Sequence, residues 1–338
     1  LMGLIKEKNL RNVSLLVCFV AFIFLPFAIT NAYFMYVVDL ILIYVILSIG
    51  LDLLVGRTGQ VSLGHGAFFG IGAYTAAILS TKFDLSFWLT LPAAIIITAV
   101  MGLAIGYIAL KLKEEYLVMA TLAFGTIIWL IFLNWKTVTR GPMGIPGIPA
   151  PPPIDLGFVE ISFNGYSEFY PLLLVFVVLS MVLTRLLMNS GFGRACTAVR
   201  DDELAAQAMG IPVFRTKVIA FSFSAAFCGA AGSLYAHFIH LVSPETFGFA
   251  TSVTILTMVM IGGKGSIAGA ILGSTILTLS SEVLRATPEW RMLVYGLLLV
   301  IMMMFFPRGI MGLFQAIRKS FNRPSFQLKK QEESEVAP

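Results

Sequence analysis

Ten apolar stretches, each near the roughly 20 residues a helix needs to cross the hydrocarbon core of a bilayer, divide this sequence. They fall at about 13–30, 33–56, 60–80, 86–110, 115–134, 169–189, 216–242, 247–262, 267–284 and 291–306. Little chain is left to build anything else. The hydrophobic fraction is 58% and the charged fraction 12%, against about 45–50% and about 25% in a soluble domain. Soluble enzymes, nucleic-acid binders and disordered tails are therefore poor fits. The sequence predicts an all-α, polytopic integral membrane protein of about ten transmembrane helices over residues 1–314, followed by a polar tail over 315–338. Cys18, Cys196 and Cys228 are too few and too far apart for a disulfide framework or a metal cluster.

The net charge of +5 follows a membrane pattern rather than a nucleic-acid one. With the N-terminus in the cytoplasm, ten crossings place Lys6, Lys8, Arg11, Arg57, Lys111, Lys113, Arg194, Arg200, Arg215, Lys217, Lys264 and the basic tail inside. Only Lys82, Lys136, Arg140, Arg285 and Arg291 fall outside, which agrees with the positive-inside rule. The first apolar run lacks a small-residue cleavage site and does not read as a signal peptide. The stretch 140–153, rich in Pro and Gly, is expected outside the membrane and non-helical. Between the eighth and ninth stretches stand only Gly262-Gly263-Lys264-Gly265-Ser266, so the two could also form one broken or re-entrant element.

Segment 190–215 is polar and, in this topology, cytoplasmic. Asp201 is expected to cap a short helix, with Asp202 and Glu203 in its first turn where the dipole favours negative charge. Gly210 and Pro212 end it. Its Ala-rich face is flat enough for another protein to pack on, or the helix is a plain connector.

Here the sequence resembles a family. Gly193-Arg194-Ala195, Ala198-Val-Arg200-Asp-Asp-Glu203, Ala205-Ala206 and Gly210-Ile211 are similar to the ATPase-docking loop of ABC importer permeases, and more narrowly of the LivM-type permeases of branched-chain amino acid importers. Three further blocks match in the same order: Gly59 to Tyr74, Gly262 to Ser266 with Gly269 and Gly273, and Phe306 to Leu313. The resemblance implies a transport subunit rather than an enzyme. It implies a second permease subunit, two cytoplasmic ATPase subunits that bind ATP and Mg, and an external solute-binding protein, with no cofactor in this chain. It gives the docking role to Gly193, Arg194, Arg200, Asp201, Asp202, Glu203, Ala205, Ala206 and Gly210. The residues agree on one point: Gly263-Lys264-Gly265 lacks the spacing and hydroxyl of a phosphate-binding loop, so ATP would be handled elsewhere.

The remaining polar positions admit two readings each. Gln60, Ser62, His65 and Gly66 line a path or gate, or they serve close helix packing. Gly262 and Gly263 mark a broken, flexing element, with a phosphate cradle as a weaker option. His237 and His240, one turn apart near Glu245, could begin a metal site or simply sit at an interface. Asp39, Asp52 and Glu282 would be the coupling residues if the chain were instead an ion-driven secondary transporter. No residue identifies the solute.

Overall fold

Asn31 opens the first described helix, α1 (Ala32–Thr58), by accepting the Tyr33 N–H on Oδ1 at 2.9 Å. The structure is a computed structural model that describes residues 31–112, 114–155, 160–163 and 165–284, with separate positions between 290 and 312. The expected first span and the tail beyond 312 lie outside the described residues, as does most of the tenth span. Helix α1 is apolar all round, which suits a helix surrounded by others; 78% of its most apolar window is buried. Gly59, with φ of 79°, ends it in the left-handed region that glycine adopts without steric cost.

The next helix does not follow at once. Residues 59–64 are non-helical, and α2 (His65–Lys82) starts at His65. The expected helical span over 60–80 is corrected at this end: Gln60 and Ser62 precede the helix. The level of α2 gives the reason. Ser224 bridges the His65 ring to the Gly50 carbonyl, and Gly50 lies about two turns, roughly 12 Å, before the end of α1. The connecting segment therefore climbs back beside α1, and α2 begins inside the bundle.

Helices α3 (Phe87–Ala109), α4 (Glu114–Asn134) and the one-turn α5 (Lys136–Thr139) come next, then α6 (Tyr166–Asn189), α7 (Gly191–Asp201), α8 (Glu203–Ala208), α9 (Val213–Ile239), α10 (Phe249–Gly262) and α11 (Ile267–Val283). The connection after α5 holds a 3₁₀ turn at Gly141–Met143, which the expectation of no helix there did not include. Two-residue strands add two small antiparallel ladders: β1 (Ile145–Pro146) with β4 (Leu241–Val242), and β2 (Ile154–Asp155) with β3 (Glu160–Ile161). The chain is a helical, multi-pass membrane protein. Among the described residues, five helices (α1, α3, α4, α6 and α9) are long and apolar enough to cross a bilayer, and α10 and α11 are shorter apolar helices.

Helix α9 is the axis. It packs on α1, α2 and α3, and 67% of its apolar window is buried, against 28% for α3 and for α4. The outer helices turn Ile96, Val100, Ile127 and Leu186 outward, as lipid contact requires. With no hydrophobic force between helices in lipid, close approach through small residues takes over. A Cβ on Gly72 would lie 2.6 Å from the Gly229 Cα, and one on Gly229 would meet Thr98 and the Ala94 carbonyl at 2.8 Å. The glycines of α2 are thus packing residues, and α9 is held at this level by α2 on one side and α3 on the other.

Gly72→Leu should therefore destabilise the fold by at least about 1–3 kcal/mol through overpacking, read as a lowered thermal midpoint in detergent. Ile96→Leu on the outer face should stay within about 0.5 kcal/mol. Equal midpoints would show that α2 and α9 do not cross this closely.

Candidate functional site

Sequence blocks far apart in the chain meet at the Thr58 end of α1. Helix α7 starts where α6 stops: Ser190 caps it, accepting the Gly193 N–H at 3.4 Å. Gly193 presses on the Met188 backbone, so closely that a side chain would collide. Cys196 and Val199 face inward, and burial pushes the Cys196 thiol up to about 12, which leaves it protonated and inert. Arg194 points to solvent. Arg200, at the far end of α7, donates from Nη1 to the Gly56 carbonyl at 3.1 Å, which leads to the last turn of α1, and pairs with Asp201 at 2.8 Å. Gly59 packs beside it, where a Cβ would make an ordinary contact at 3.5 Å with Arg200 Cγ, so what calls for glycine there is its positive φ.

The Gly-rich turn between α10 and α11 lies against the same place. Gly263 and Gly265 take positive φ, Ser266 caps α11 through the Gly269 N–H at 3.2 Å, and Gly262 packs on the Gly269 backbone. The turn is a tight helical hairpin rather than a stretched break. Its anion is internal: the Gly265 N–H donates to Asp52 Oδ1 at 2.6 Å. That replaces the phosphate-cradle reading, because a carboxylate of α1 already occupies the donor. Gly309, from the fourth block, presses on Gly263. Arg200 and Asp52 thus fasten α7 and the α10–α11 hairpin to consecutive turns of α1.

Segment 201–210 differs from its sequence reading in detail. Asp201 closes α7 and does not cap the next helix. Asp202 does, accepting the Ala205 N–H at 2.9 Å. Its extended backbone, with φ of −162°, breaks α7 from α8. Glu203 pairs with Lys217 on α9. Ala206 is buried against the bundle at 3%, so it is not on the free face. Ala205 is exposed, and Gly210 ends the segment at φ of 81° with open space around it. The free face carries Leu204 and Met209, exposed at 80% and 83%. These two apolar side chains on a polar segment were not singled out from the sequence.

A second cluster surrounds the start of α2. Breaking a helix inside a bilayer frees backbone groups that must find partners within the protein. The Leu63 N–H goes to Thr121 Oγ1 at 3.1 Å, that of Gly64 to Ser62 Oγ at 3.3 Å, and that of Gly66 to Ser252 Oγ at 3.0 Å. Ser224 donates to the Gly50 carbonyl at 2.6 Å and so must accept from His65 Nε2 at 2.7 Å. The imidazole proton is therefore on Nε2, and Nδ1 accepts from Ser62 at 3.1 Å. His65, Ser62 and Gly66 act here as fasteners. Gln60, 1% exposed, has neither amide atom hydrogen-bonded among the described residues. Gly262 and Gly263 belong to the other cluster: Gly66 faces Ser252, near the opposite end of α10.

The other candidates separate. His237 donates from Nδ1 to the Pro149 carbonyl at 2.7 Å, and His240 to the Ile148 carbonyl at 2.7 Å. Both staple the Pro-rich connection to α9, and no group of metal ligands occurs among the described residues. Asp39 is buried on α1 with no hydrogen bond among the described residues. Glu282 accepts a hydrogen bond from the Tyr33 hydroxyl.

A family described as branched-chain amino acid transport system, permease component, matches residues 33–303. This chain belongs to that family. The permease is 37% identical to the high-affinity branched-chain amino acid transport system permease protein LivM of Escherichia coli K12, over 97% of this chain and 78% of the relative. It is 28% identical to LivH of Salmonella typhimurium over 80% of this chain and 91% of the relative, and 28% identical to a probable LivH of Methanocaldococcus jannaschii. No solved structure matches it. The permease is a transport component and not a catalyst.

Sequence reasoning found the motifs of the permease but missed the groups that tie them together. Thr121, Ser224 and Ser252 carry no motif signal, being single hydroxyls in apolar helices. Lys217 was counted only as a topology charge. Ser224→Ala should test the fastening role. It leaves the buried His65 Nε2–H unpaired, so stability should fall by about 1–3 kcal/mol, read as a thermal shift against Ser222→Ala, whose hydroxyl donates to the Ala99 carbonyl on α3. Shifts of equal size would remove the case for a special role of Ser224.

Proposed function

We propose that this permease is one of two membrane subunits of an ATP-driven importer for branched-chain amino acids. Its partner is a second permease of the same family, and the relatives include permeases of both the LivM and LivH names. Two cytoplasmic ATPase subunits bind ATP and Mg, and an external solute-binding protein delivers the amino acid. Both termini and the α7–α8 segment are cytoplasmic; the 135–168 connection is external.

The observation that carries this reading is the junction at the end of α1. An exposed apolar pair, Leu204 and Met209, stands on a segment whose root, Arg200, is bonded to α1. Asp52, one turn away, holds the α10–α11 hairpin. A push on α8 by an ATPase would reach α1 through Arg200, α9 through the Glu203–Lys217 pair, and the hairpin through Asp52. Leu204 and Met209 are the anchors for the ATPase groove, with Ala205 leaving room beside them. Among the path candidates, Gln60 is the side chain whose amide atoms have no hydrogen-bond partner among the described residues.

Changing Leu204 and Met209 together to Asp should lower co-purification of the ATPase subunit at least about tenfold, as loss of an interface hot spot does, with membrane abundance unchanged. Full ATPase binding would show that α8 is a connector. Ala206→Trp is not a test of docking, because Ala206 faces the bundle. Orientation has its own test. In a Cys18→Ser background, Leu204→Cys should react with an impermeant thiol reagent from the cytoplasmic side and Met143→Cys from outside. Reaction of both from one side would contradict the topology.

A further inference from the structure

We infer that the corner where the end of α3 meets the start of α9 binds an anionic phospholipid of the cytoplasmic leaflet, with Lys111 and Arg215 taking the headgroup phosphate. The site lies beyond the importer reading and takes from it only the orientation of the chain. Helix α9 is buried along most of its length, yet Ile219 and Phe223, one turn apart, are 41% and 39% exposed. Their neighbours explain the opening. On one side, α3 lays Gly102 and Gly106 against Ser222 and Phe221, and it turns Val100, Leu103 and Tyr107 outward. On the other side, the ring of Phe192 on α7 lies 6.0 Å from that of Phe223. The result is an apolar slot with α9 as its floor, open to the hydrocarbon.

The cytoplasmic end of the slot is aromatic and basic. Tyr107 meets Phe214 edge to face at 5.5 Å. The Lys111 ammonium lies over the Tyr107 ring, 4.2 Å from its centre, and the attraction of a cation to the ring face keeps it there. Arg215 follows Phe214 and is exposed, as is Lys111. The acids of this corner are already engaged. Asp201 pairs with Arg200, Asp202 caps α8, and Glu203 pairs with Lys217. Glu114 and Glu115 open α4, where the helix dipole favours negative charge. Neither Lys111 nor Arg215 has an ion pair among the described residues. Two positive charges therefore stand uncompensated beside an aromatic pair, at the end of an apolar slot. A phosphate at the cations and an acyl chain over Leu103, Ile219 and Phe223 use both halves, and the cytoplasmic leaflet supplies anionic lipids that carry the two together. A soluble anion would use the cations alone, and phosphatidylcholine brings a cation of its own.

The test uses the permease with its partner subunits, stripped of lipid in a neutral detergent. Dioleoylphosphatidylglycerol or dioleoylphosphatidylcholine is titrated in, and the first lipid bound to the intact complex is followed by native mass spectrometry. Wild type should hold phosphatidylglycerol at least about tenfold tighter than phosphatidylcholine, as two cations near the membrane surface imply. Lys111→Gln with Arg215→Gln should remove most of that preference. The exchange Lys111→Arg with Arg215→Lys should keep it. Lys136→Gln with Arg140→Gln removes the same charge from the connection after α4 and should leave it unchanged. Equal affinity for the two lipids, no loss in the Lys111 and Arg215 pair, or the same loss in both Gln pairs overturns the proposal. Full displacement of the lipid by millimolar inorganic phosphate overturns it too, in favour of a free anion. Lipid held by the isolated permease but not by the complex would give this face to a partner subunit and equally overturn it. The spectrum is blind to orientation, so a failure here leaves the topology to its own labelling test.

Discussion

The rest of this fold depends on the return of the chain into the membrane between Gly59 and Gly64. Non-helical backbone at membrane depth survives only where protein surrounds it, and that demand recruits helices from the whole length of the sequence. Thr121 comes from α4, Ser224 from α9 and Ser252 from α10, each a single hydroxyl placed on a specific N–H or ring nitrogen. Because α2 starts in the interior, it meets α9 at Gly72, and α9 in turn is pinned against α3 at Gly229. The broken connection therefore positions the central helix, and the central helix sets the places of α1 and α3.

The other end of α1 is where two separate elements are fastened to it. Its last two turns carry Asp52 and Gly56, and these hold the α10–α11 hairpin and α7 respectively. Neither bond is strong enough to dominate stability, since a hydrogen bond to a charged group contributes about 1.5–3 kcal/mol. Their value is directional. They join the α7–α8 segment to α1 and to the α10–α11 hairpin through short, defined contacts, and in the proposed mechanism a displacement of one would be carried to the other. At the opposite end, α1 and α11 enclose a cavity beside Glu282.

Much of this was legible in the sequence, because the bilayer imposes a length and a composition that apolar runs reveal directly. The runs at 33–56, 86–110, 115–134, 169–189 and 216–242 correspond to α1, α3, α4, α6 and α9. Where hydropathy stopped being the deciding force, the reading lost detail. The start of α2 is set by a left-handed glycine and by partners distant in sequence, so Gln60 and Ser62 looked helical. The cap of α8 fell on Asp202 rather than Asp201 because two adjacent carboxylates are equivalent in composition and only backbone angles distinguish them. Ala206 looked like part of a free face because periodicity in a six-residue helix is too short to assign one. The Gly-rich turn looked open to an anion, and the anion proved to be Asp52, more than two hundred positions away.

In the proposed mechanism Arg200 transmits movement of the α7–α8 segment to α1. Transport per ATP hydrolysed, measured in proteoliposomes holding the complete importer, tests it most directly. Arg200→Gln removes the charge that bonds the Gly56 carbonyl and keeps most of the side chain. It should leave ATPase binding and hydrolysis near the wild-type level while uptake per ATP falls by about tenfold, the factor that corresponds to 1.4 kcal/mol. Uptake per ATP equal to wild type, at equal ATPase binding, would contradict the claim.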